Sequence, residues 1–72
     1  MTNIDTLMQH ENHNVRIFAD TINKLHNSTG FYSSIYADIN SRDIGELDAL
    51  IQEISKQDFT DDVDVVIWLE EC

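Results

Sequence analysis

The sequence predicts an all-α protein, a compact small helical domain of about four to five helices. Three observations carry that expectation. Proline is absent from the 72 residues and glycine occurs only at positions 30 and 45, so little interrupts a helix. Apolar residues recur at spacings of three and four over the first segment and again from Ile44 to Ile54. Apolar side chains make up 42% of the chain, enough to form a core, and so short a chain forms a single domain, 1–72.

In the first segment Ile4, Met8, Glu11, Val15, Phe18, Ile22 and Leu25 alternate in spacing between four and three, and Leu7 and Ala19 widen the stripe. The pattern fits one helix over residues 3–27 or two helices broken near Asn12-His13-Asn14, where helix propensity is poor. Asn27-Ser28-Thr29-Gly30 then reads as a stop followed by a start, with Ser28 or Thr29 capping the next element. From Phe31 to Ile39 a helix gathers Phe31, Tyr32, Ile35, Tyr36 and Ile39 on one side and both serines on the other. The clearest helix follows. Asp43 and Glu46 have the spacing of an N-cap and its capping-box partner, and Ile44, Leu47, Leu50, Ile51 and Ile54 form one apolar stripe. Glu46 and Glu53 flank that stripe on one side, Asp48 on the other, and Lys56 suits the negative end.

The last segment, Thr60 to Glu71, carries two patterns. Alternation of Val63, Val65, Ile67 and Leu69 with their neighbours favours a half-buried strand, whereas Thr60 before Asp61-Asp62 resembles a capped, acidic first turn. A lone strand needs a partner, so the helix is preferred. The alternative is an α+β fold with strands near 31–37 and 63–69 around the 43–56 helix.

Fourteen carboxylates against four Lys and Arg give a net charge of −10. Residues 1–36 hold three acidic and two basic side chains, whereas residues 37–72 hold eleven and two. The excess therefore lies in the second half, interleaved with apolar residues as on folded elements rather than in a disordered tail. Four scattered cations cannot neutralise a phosphate track, which excludes direct binding of nucleic acid or anionic lipid through a basic surface. No apolar run approaches the roughly 18 residues of a membrane span, and Met1 to Asp5 lacks the basic and apolar regions of a secretory signal. Cys72 is the lone cysteine and forms no intrachain disulfide; a cytoplasmic setting is expected.

Catalytic and metal chemistry find little support. His10 and His13 are spaced i and i+3 without a third ligand nearby, unlike the i, i+4 zinc motif. Asp58, Asp61, Asp62 and Asp64 lack the alternate spacing and the glycine of a calcium loop. Glycine-rich phosphate loops are absent, and Glu70 and Glu71 disfavour the Cys72 thiolate. The expectation is no enzyme, no metal and no cofactor.

Carboxylates spaced along helices approximate the phosphates of a nucleic-acid strand, and their field draws cationic surfaces. In size, charge and helicity the chain resembles, as a class, the small acidic DNA mimics that phages and mobile elements direct against restriction, CRISPR or repair enzymes. The resemblance implies an inhibitor that occupies the basic DNA- or RNA-binding groove of a host defence or DNA-processing protein. The residues expected to meet that partner are Asp43, Glu46, Asp48, Glu53, Asp58, Asp61, Asp62 and Asp64, with Tyr32 and Tyr36 as aromatic contacts. The alternative is a small adaptor or antitoxin-like module, with a homodimer formed through the N-terminal helix.

Overall fold

The apolar stripe of the first segment does not run along one rod. In the computed structural model, which describes residues 2–71, it is divided between α1 (Asn3–Met8) and α2 (His13–Thr29). The chain stops at Gln9 and His10, whose N–H groups donate to Thr6 and Leu7 carbonyls. It restarts at Asn12, which is extended and whose side-chain oxygen accepts from the N–H groups of Asn14 and Val15. Of the poor helix formers at 12–14, Asn12 thus acts as the cap, while His13 and Asn14 open α2. Folding back lets Ile4 and Leu7 of α1 bury against Val15, Phe18, Ala19 and Ile22 of α2. Glu11, counted in the stripe by spacing, lies exposed in the turn.

Three further helices complete the domain: α3 (Ser33–Ser41), α4 (Ile44–Ser55) and α5 (Asp62–Glu70). The all-α expectation holds, and among the described residues there is no strand. Residues 31–37 enter α3 and residues 63–69 lie inside α5, so neither segment forms the alternative sheet. Cys72 lies outside the described residues. Helix α2 touches every other helix. The core it organises also takes Ile39 from α3, Ile54 from α4, Phe59 from the loop before α5 and Val65 from α5.

Side-chain amides lock the elements together. Asn3 Nδ2 donates to the Ile39 and Arg42 carbonyls at 2.8 and 2.9 Å, where α3 ends. In return, the Asn40 side chain accepts from the Ile4 N–H at 3.0 Å, where α1 begins. Each end thereby satisfies backbone groups that helix geometry leaves without partners. Asn14 does the same for the loop ahead of α5: its Nδ2 donates to the Gln57 carbonyl and its Oδ1 accepts from the Phe59 N–H.

Several sequence expectations are corrected. Ser28 and Thr29 do not cap α3; both lie in the last turn of α2, where their hydroxyls donate to the Lys24 and Leu25 carbonyls. The stop falls at Gly30, whose φ of 78° suits a residue without Cβ. The N-cap position of α3 is Tyr32, at φ 62° and with no side-chain cap. Asp43 caps α4 by accepting from the Glu46 N–H, but among the described residues only the Thr2 and Asp5 pair of α1 closes a full capping box. Ile44, at the first position of α4, is 88% exposed and takes no part in the core. Leu47, Leu50, Ile51 and Ile54 of the same stripe do pack on the core.

Candidate functional site

The acidic residues reach their positions through different local physics. Asp43 and Asp61 are N-caps: each lies just before a helix and accepts from its first N–H groups. Asp62 points inward to α2, pairing with Lys24 and accepting from Thr21, the buried polar residue of the core. The Lys24 hydrogen bond, reinforced by that from Thr21, holds the Asp62 carboxyl below its ordinary range, and the same pairing raises Lys24. Asp64 accepts from both the hydroxyl and the N–H of Thr60 at 2.6 and 2.8 Å, and these bonds, the hydroxyl first, lower its pKa.

On α4, Asp48 accepts from Gln52 at 2.7 Å and Glu53 lies 4.0 Å from Lys56. Helix geometry places Glu46 and Glu53 along one flank of the inward stripe, with Asp48 roughly 140–160° around the helix from them. The carboxylates of α4 therefore straddle the helix and do not form one row. Asp58 stands exposed in the loop that Asn14 holds.

What unites this half of the protein is missing counter-charge. Lys24 is engaged by Asp62, Arg42 by Asp38 and Lys56 by Glu53, while the Arg16 guanidinium donates to the His10 and Glu11 carbonyls. No cation pairs with Asp43, Glu46, Asp48, Asp58, Asp61, Asp64, Glu70 or Glu71 among the described residues. Six of these eight belong to the set expected from the sequence. Asp62 leaves that set because its charge is met by Lys24, and Glu53 is partly met by Lys56.

Two depressions lie against α5. One, of about 220 Å³, is bordered by Asp58, Asp64 and Glu71 around Phe59, Ile67 and Trp68. It gathers two predicted carboxylates, from the loop and from α5, together with one that sequence reasoning passed over. Trp68 is half-buried there and meets Phe18 and Phe59 edge-on, with ring centres 5.9 and 5.8 Å away. The other depression, about 360 Å³ and largely apolar, is lined by Leu25, Phe31, Tyr32, Val66 and Glu70. Val63 and Ile67 lie on the outward side of α5, 61% and 50% exposed. Helix spacing could have revealed these residues: once Val65 faces inward, Val63 and Ile67 fall on the opposite side, one turn apart.

Tyr32 and Tyr36 do not form an exposed pair. Both are half-buried against the core; Tyr36 stacks on His26 at 4.0 Å, and Tyr32 donates to Glu70 at 3.0 Å. Partial burial, followed by that hydrogen bond, raises the Tyr32 pKa. His10 lies before α2 and His13 within its first turn, so the two do not share a helix face; His10 Nδ1 instead accepts from the Asn12 N–H. Among the described residues no three side chains converge as metal ligands, and no helix is long and apolar enough to cross a membrane. No protein-family model, curated protein or solved structure matches the chain.

Proposed function

We propose that this protein binds the cationic nucleic-acid groove of another protein and competes with DNA or RNA for it, as an inhibitor of a defence or DNA-processing enzyme. The observation that supports the reading is the set of eight carboxylates without a cationic partner on α4, α5 and the connection between them. An excess of like charge on a domain of this size is a sizeable burden, because net stability is only about 4–11 kcal/mol at 0.05–0.15 kcal/mol per residue. A cationic partner relieves that repulsion and gains fast, salt-sensitive association.

The adaptor reading draws on a different feature. Its dimerising stripe is occupied within one chain, since Ile4, Leu7, Val15, Phe18 and Ile22 are all buried. The outward Val63 and Ile67 offer apolar contact area of another kind. Salt separates the two. Competition in a DNA-shift assay, with a partner captured from the natural host, should weaken by at least about tenfold between roughly 50 and 200 mM salt. Salt-independent binding supports the adaptor, and absence of competition at low salt removes the mimic.

A further inference from the structure

The groove between α5 and the turn joining α2 to α3 has a construction that the charge alone does not explain. Phe31 is 66% exposed beside it, and Leu25 and Val66 supply the rest of an apolar lining. Its polar groups are the Tyr32 hydroxyl and the Glu70 carboxylate, hydrogen-bonded to each other at 3.0 Å. Tyr32 reaches this position from a left-handed backbone, φ 62°, which costs a non-glycine residue about 1 kcal/mol or more. The preceding turn is braced by the Phe31 N–H donating to the Thr29 hydroxyl at 3.2 Å and by the Ser33 hydroxyl donating to the Gly30 carbonyl at 2.6 Å.

We infer that this groove takes an apolar anchor side chain from a cationic amphipathic segment of the partner, whose flanking Lys or Arg meets Glu70. Charge complementarity selects that occupant. A second copy of the chain would bring the Glu70 groove against another protein of net charge −10, whereas a basic segment pairs with Glu70. At about 360 Å³ the groove lies near the lower end of small-molecule pockets and suits one or two side chains. The inference rests on the cationic-partner reading and adds where, and with what chemistry, the partner is gripped.

The test uses the full chain, 15N-labelled, titrated with three synthetic helical peptides. One is an amphipathic peptide of Leu, Lys and Arg, the second replaces each Leu with Ser, and the third replaces each Lys and Arg with Glu. The amphipathic peptide should shift the amides of Phe31, Tyr32, Val66 and Glu70, and bind at least about tenfold more tightly than the Ser peptide. Phe31→Ala, at an exposed position that the core does not need, should remove about tenfold of that affinity and leave binding of the Ser peptide unchanged. Equal affinity of the two cationic peptides, or an unchanged Phe31→Ala titration, overturns the groove while sparing the cationic-partner reading. Failure of both cationic peptides to bind at low salt overturns that reading as well. Equal binding of the acidic peptide, or self-association in sedimentation that Phe31→Ala abolishes, shows the occupant to be wrongly assigned.

Discussion

Replacing Asn14 with alanine removes both hydrogen bonds that hold the loop before α5, the one donated to the Gln57 carbonyl and the one accepted from the Phe59 N–H. A typical intramolecular hydrogen bond contributes about 1 kcal/mol net, so the pair contributes about 2 kcal/mol. Alanine is the better helix former inside α2 and returns about 0.5 kcal/mol. The expected loss is therefore about 1.5 kcal/mol, or roughly 6–12 °C in Tm for a domain of this length. Chemical and thermal denaturation followed by circular dichroism measure it. Global stability alone does not locate the damage. Native-state amide exchange does, because Phe59 should lose more protection than Ile22 at the centre of α2. Asp58 lies between the two tethered backbone groups, so Asn14→Ala should also weaken binding of a cationic partner. A stability loss under about 0.5 kcal/mol together with unchanged Phe59 protection would refute the argument that this amide fixes the loop.

The two capping aspartates lie on different helices without a shared partner, so Asp43→Ala and Asp61→Ala should each cost about 1 kcal/mol and add in the double variant; urea midpoints check both. Gly30→Ala places a Cβ on a backbone at φ 78° with open space around it, so strain alone should cost about 1 kcal/mol. Asp62 and Asp64 have lowered pKa values, so their contribution is complete above the ordinary carboxylate range and is lost as pH falls through their folded-state values. For Lys24, which is raised, the contribution is complete below the ordinary lysine range and is lost as pH rises through the folded value. Asp62→Asn should therefore flatten the fall of stability with acid and remove the Lys24 effect at alkaline pH, read from Tm across a pH series. Because the unpaired carboxylates repel one another, added salt should raise Tm by a few degrees, whereas a fall would show that specific ion pairs dominate.

The helices that could be read from the sequence were those whose ends carry their own chemistry. Asp43 before Ile44 and the Thr60-Asp61-Asp62 run before Val63 mark helix starts within a few residues, and both helices form there, although Asp61 rather than Thr60 caps α5. Fine assignment failed where the partner lies far along the chain. Asn12 marked a weak point, but whether the chain broke there depended on burying Ile4 and Leu7 against α2. Asp62 read as one more surface carboxylate because nothing local indicated Lys24, 38 residues earlier. Glu70 and Glu71 were passed over because α5 carries apolar residues on every side, and only the packing of Val65 fixes which side faces out.

Composition and local spacing by themselves determined the helical class, the Asp43 cap of α4 and the concentration of negative charge in the second half, since each depends on residues within about one helical turn of one another or on a simple sum. Tertiary structure alone decided which carboxylates keep a bare charge and which are neutralised. It also decided where α5 leaves Val63, Ile67 and the Phe31 groove open to a partner. Those outcomes follow from α2 being shared by four neighbours: its apolar stripe accepts one side of each helix, and what remains outward is set by competition for that one surface.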